Sequence, residues 1–159
     1  HYTPNGKATR DQVKLGLRYA KAEVKHEVVT KGALKFQFAI PPGAPNHMVT
    51  ANLSLPAGAK VISMIPHMHL RGKAAKYELV SPDGSMTTLL DVPKYDFNWQ
   101  LRYERKEPVT VERGSMIKYT AWYDNSKDNP ANPDPTKTVR WGDQTFNEMM
   151  LGYVEYYVP

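Results

Sequence analysis

The chain has 159 residues, 41% of them apolar and 23% charged, with a formal charge of +5 from 21 basic and 16 acidic side chains. That is the size and composition of one domain with a packed core, which excludes two complete domains, wholesale disorder and a fibrous repeat; the strongest apolar run, residues 61–66, is also far short of the about 20 residues a membrane-spanning helix needs. The basic residues are scattered without the dense block that nucleic-acid binding calls for, and the lack of cysteine excludes disulfides, thiolate metal sites and cysteine nucleophiles.

Thirteen prolines and ten glycines cut the sequence into short lengths of alternating or β-rich composition, the pattern of an all-β chain. In chain order the predicted strands are 13–19, 34–40, 49–55, 59–70, 75–80, 87–91, 98–103, 108–111, 116–123 and 148–157. Turns are marked by Pro41-Pro42-Gly43, Pro56-Ala57-Gly58, Pro82-Asp83-Gly84 and Arg113-Gly114, each ending in a residue that accepts positive φ. No helical periodicity runs beyond about two turns. About ten short strands predict an antiparallel β-sandwich of the jelly-roll type. Residues 124–137, with three prolines and almost no apolar side chain, read as a long surface loop, a length often tied to function. The segmentation gives a single domain over residues 1–159, and a start at His1 with no apolar leader reads as a processed or excised piece of a longer protein.

Chemistry concentrates in residues 61–70. Side chains alternate along a strand, so Ile62, Met64, Met68 and Leu70 fall on a predicted core face, while Ser63, His67 and His69 fall on the other. Two imidazoles at i and i+2 on one face stand close enough to share a metal ion. The lone His26 and His47 read as ordinary surface or core residues. Without cysteine, a third ligand is an imidazole or carboxylate for zinc, or a thioether for copper, whose reduced form favours soft sulfur. Met149 and Met150 on the last strand are the thioethers to weigh. They face opposite ways, Met149 with Leu151 and Tyr153, Met150 with Gly152 and Val154, and periodicity leaves each open as ligand or core filler.

Pro66-His67-Met68-His69-Leu70-Arg71-Gly72-Lys73, followed far down the chain by Asn147-Glu148-Met149-Met150-Leu151-Gly152-Tyr153, resembles one family. It is similar to the C-terminal half of the ascorbate-dependent type II copper monooxygenases, the family of peptidylglycine α-hydroxylating monooxygenase and dopamine β-monooxygenase, and most of all to their bacterial relatives. Ile40-Pro41-Pro42-Gly43 and the apolar run before His67 extend the likeness over nearly the whole chain. The resemblance implies a jelly-roll sandwich with copper held by His67, His69 and Met149, which decides against Met150. It also implies hydroxylation of a substrate C–H bond with O₂, using electrons from ascorbate or another reductant that pass through a second copper in an N-terminal half. His1-Tyr2 resembles the family's His-Tyr pair near the junction of its halves, which makes His1 a candidate ligand of that second copper.

In the family's peptide-hydroxylating member, a substrate carboxylate is gripped by an Arg two before the His-x-His, an Asn two after the ligand Met and a Tyr four after it. Those places hold Ile65, Leu151 and Tyr153 here. Without the guanidinium there is no bidentate carboxylate partner, so a pocket lined by these three is expected to take a less polar small molecule. The resemblance further implies a missing N-terminal copper domain or partner subunit, a periplasmic or secreted location, and negligible turnover by this chain alone. The competing reading is a non-catalytic copper-binding or purely structural β-sandwich subunit of a larger assembly. A carbohydrate- or protein-binding sandwich using Trp99, Trp122 and Trp141 ranks below both.

Overall fold

A computed structural model describes residues 6–159. Its ten strands are β1 (Val29–Leu34), β2 (Ala39–Ile40), β3 (His47–Ser54), β4 (Lys60–His67), β5 (Gly72–Val80), β6 (Met86–Val92), β7 (Tyr103–Thr110), β8 (Met116–Tyr123), β9 (Val139–Arg140) and β10 (Leu151–Tyr157). One four-stranded sheet runs β1-β10-β4-β7 and a second runs β3-β8-β5-β6, while β2 and β9 form a short ribbon. Every paired strand is antiparallel. The chain is an all-β sandwich of the jelly-roll type, as its punctuation predicts.

Period-two burial places the core between the two large sheets. Ile117, Tyr119, Ala121 and Tyr123 of β8, with Ala75 and Tyr77 of β5, meet Val154 and Tyr156 of β10 and Val61 and Met64 of β4. A fully buried aliphatic or aromatic side chain contributes about 1.5–3 kcal/mol. Gly152 faces inward near the start of β10, where a β-carbon would overlap the Tyr119 ring. The glycine lets that ring, tilted against Tyr77 with centroids 4.7 Å apart, lie against the opposite sheet.

The proline-marked turns form as expected, with Gly43, Gly58, Gly84 and Gly114 at φ of 66°, 83°, 84° and 82°. Other expectations change. The 34–40 run splits between β1 and β2. The predicted strand 108–111 is the end of a longer strand, β7, with Pro108 inside it, whereas residues 98–102 of the predicted strand 98–103 lie in a loop; β7 is an edge strand, where a missing N–H breaks no ladder bond. A bulge between Val61 and Ser63 shifts the alternation of β4, so Val61 and Met64 are buried core while Ile62 is half-buried. Residues 13–19 pair with no strand and stand exposed.

Candidate metal centre

At His67, β4 leaves its sheet and the chain crosses the end of the sandwich to enter the other sheet as β5 at Gly72. The crossing is a tight turn closed by the Gly72 amide donating to the His69 carbonyl at 3.1 Å. Its buried main chain has no ladder to satisfy it, so side chains do so. The Met68 amide donates to the Tyr95 hydroxyl at 3.0 Å, and that hydroxyl donates to the Met68 carbonyl at 2.7 Å. One oxygen of the Glu148 carboxyl accepts from the His69 amide at 2.7 Å, and the other accepts from the Arg71 amide at 2.6 Å. Glu148 is wholly buried. Burial pushes its carboxyl up to about 8, against the pull of the Arg71 and His69 amides and the Arg71 guanidinium.

Arg71, also buried, donates from Nε to Asn125 Oδ1 at 2.8 Å and from Nη1 to the Phe146 carbonyl at 2.9 Å. The amide of Asn125 in turn donates to the carbonyls of Pro41 and Lys137 at 2.8 and 2.9 Å. The long loop 124–137 is thereby fastened beneath the turn.

This frame brings His67 and His69 together, ring centroids 5.3 Å apart and planes at 87°. The predicted strand 59–70 stops at His67 as β4, so Met68 and His69 lie in the turn, where both are fully buried. His67 Nδ1 lies 2.6 Å from Gln100 Oε1. The Gln100 amide nitrogen donates to the Phe97 carbonyl at 2.8 Å, which fixes its oxygen toward the ring. His69 Nδ1 lies 3.2 Å from the Asn147 carbonyl, and the Phe97 ring stands edge-on to His69 at 6.1 Å. Burial is the main cause lowering both imidazole pKa values, which favours neutral rings. A neutral ring donating from Nδ1 carries its lone pair on Nε2, the form that binds a metal ion.

The register pairs Leu151 with His67 and Tyr153 with Ile65. Cross-strand partners share a face, so Ile65, Leu151 and Tyr153 lie half-buried on the same outer sheet face as His67. Met149 lies two residues before Leu151, just ahead of the start of β10. It is half-buried, and its carbonyl accepts from the Tyr123 hydroxyl at 2.8 Å. Met150 is fully buried in the core. His1 lies outside the described residues. Among the described residues no group of three or more His, Cys, Asp or Glu side chains comes together, so the two imidazoles stand as a pair. A donor set completed by a thioether fits a soft metal ion such as reduced copper.

Sequence reasoning missed the supports: Glu148, Tyr95, Gln100, Phe97 and Tyr123. Glu148 alone carried a signal, an acid beside two methionines at the start of an apolar strand. Gln100 and Tyr95 lie on the 93–102 loop, whose approach to His67 depends on the fold.

The family described as copper type II ascorbate-dependent monooxygenase, C-terminal domain, matches residues 35–159. No curated protein matches the chain. Among solved structures the chain is similar, at 12% identity and a TM-score of 0.35, to a structure of infectious bursal disease virus Gt strain, over 84% of this chain and 33% of that one. A likeness that slight carries no argument, and the chain spans only about a third of that protein.

Proposed function

The chain belongs to the family of copper type II ascorbate-dependent monooxygenase C-terminal domains, and from that premise we propose that His67, His69 and Met149 hold the copper of the domain's active site. The observation that carries this reading is the His67–His69 ring pair, with both Nδ1 atoms against protein oxygens. Two imidazoles and a thioether suit Cu(I), and copper so held supplies the redox chemistry by which the family uses oxygen and the electrons of ascorbate. Gln100 and the Asn147 carbonyl orient the two rings. Glu148 and Tyr95 hold the turn rigid beneath them, and Phe97 shields His69 from water. Ile65, Leu151 and Tyr153 offer a substrate an apolar surface beside His67, with the Tyr153 hydroxyl as a polar contact. An apolar small molecule with a reactive C–H bond fits that surface better than a carboxylate does.

Electron supply belongs to the N-terminal domain that precedes this one in the family, so this chain alone is expected to give negligible coupled hydroxylation. A periplasmic or extracellular location is part of the same proposal. An anaerobic Cu(I) titration against a competing chelator tests the site. One tightly bound copper is expected, weakened at least about tenfold by His67→Ala, His69→Ala and Met149→Ala and left unchanged by Met150→Ala with the fold intact. Unselective binding, or binding indifferent to the three substitutions, refutes the site and leaves the structural-subunit reading in its place.

A further inference from the structure

Residues 13–19, Val-Lys-Leu-Gly-Leu-Arg-Tyr, have the strict apolar alternation of a half-buried strand, yet they join no sheet of this domain. Val13, Leu15, Leu17 and Tyr19 are 80%, 83%, 69% and 81% exposed. Four large apolar side chains at alternate positions, left in water, give the segment the pattern of a strand that lacks a sheet to pair with. The segment also lies outside the matched C-terminal domain, which begins at residue 35.

We propose that residues 13–19 are a strand donated to a sheet edge of the family's N-terminal domain, with Val13, Leu15, Leu17 and Tyr19 packed into that domain's core. The inference rests on the family membership and not on the copper ligands. Lys14, Arg18 and Lys21 follow Asp11 with no acid before Glu23, so acidic side chains beside the receiving edge would complement the segment. The strand is tethered closely. His26 stacks on Tyr157 of β10 with ring centroids 4.9 Å apart, and it follows Tyr19 by seven residues. At about 3.4 Å per extended residue the receiving edge lies within about 24 Å of Tyr157. A donated strand on so short a tether holds the two domains against each other by main-chain hydrogen bonds as well as side-chain packing.

Hydrogen–deuterium exchange of residues 13–19 tests this, in the present chain alone and in the full protein that carries the N-terminal domain. Exchange is expected to be fast in the chain alone and slowed at least about 100-fold in the full protein. Fast exchange in both overturns the proposal. Slow exchange in the chain alone also overturns it, and dilution then tells a second copy from the chain's own sheet edge. The double substitution Leu15→Asp with Leu17→Asp is expected to abolish the protection while leaving the melting of this domain unchanged, because both side chains are exposed in it. Protection that survives the double substitution overturns the proposal. Cu(I) binding by this chain is expected to be the same in that variant, so failure here and failure of the copper site read out separately.

Discussion

Replacing Glu148 by glutamine removes one of the two acceptors that hold the turn carrying His69. The carboxyl takes the His69 amide on one oxygen and the Arg71 amide on the other, at 2.7 and 2.6 Å, and glutamine offers one oxygen and an NH₂ that cannot accept. One buried amide loses its partner whichever way the side-chain amide is turned. A buried amide left unpaired costs about 1–3 kcal/mol. Relief of the burial that pushes the Glu148 carboxyl up to about 8 offsets part of this, so a net loss of about 2 kcal/mol is expected. For a chain of this length that lowers Tm by about 4–8 °C. The assay is thermal unfolding of the metal-free protein, with the exposed Glu112→Gln as a control expected to stay within about 1 °C. Because the turn carries His69, the same variant is expected to lose about 10–100-fold in Cu(I) affinity. A Glu148→Gln melt equal to that of the parent refutes the clamp.

Three further outcomes follow from the same geometry. Gln100→Leu removes the oxygen facing His67 Nδ1, and competition against a Cu(I) chelator is expected to show an affinity loss of about 10-fold or more with little change in melting; equal affinity removes Gln100 from the site. Gly72→Ala puts a β-carbon 2.6 Å from the Tyr95 ring and 2.8 Å from the Met68 Cβ, and a stability loss of about 1–3 kcal/mol is expected in denaturant unfolding, an unchanged midpoint contradicting the close approach. The Ser63 hydroxyl, then Arg102, holds the Glu155 carboxyl below its usual range, so its folded value lies under its unfolded one. Its contribution is present above the unfolded value near pH 4.5 and fades as pH falls through the folded value. Glu155→Gln is therefore expected to flatten the acid limb of the stability–pH curve, and parallel limbs in the two proteins speak against the pairing.

Proline and glycine punctuation made the strands legible because each turn glycine meets a local demand, the positive φ at Gly43 or Gly84, that no distant residue changes. The His67–His69 pair was legible from its spacing, although β4 ends at His67 and the turn after it, not strand alternation, brings the His69 ring alongside. What failed to show was set by partners far along the chain. Pro108 reads as a strand breaker unless β7 is known to be an edge. The bulge after Val61 is invisible until β4 is laid against β7. Residues 13–19 have the pattern of a strand and no partner here to make one. The choice between Met149 and Met150 rested on the family likeness; the two differ in burial, Met150 being fully buried and Met149 half-buried.

The position of Glu148 explains how the proposed centre, with its candidate ligands far apart in the chain, would be kept in register. The turn after β4 buries main-chain amides that no ladder satisfies, and an acceptor has to come from the segment that packs against it, which is the approach to β10. Placing that acceptor at residue 148 sets Met149 beside the same turn, because adjacent residues move together, and the Tyr123 hydroxyl fixes the Met149 carbonyl from the opposite sheet. The proposed ligands and the frame then separate by experiment. His67 and Met149 are only half-buried, so their substitution by alanine is expected to weaken copper binding with a near-parental melt, whereas Glu148→Gln lowers both together. A His67→Ala protein that melts as low as Glu148→Gln contradicts this division, because a side chain on the outer face at the end of β4 would then be carrying the turn that Glu148 and Tyr95 are seen to hold.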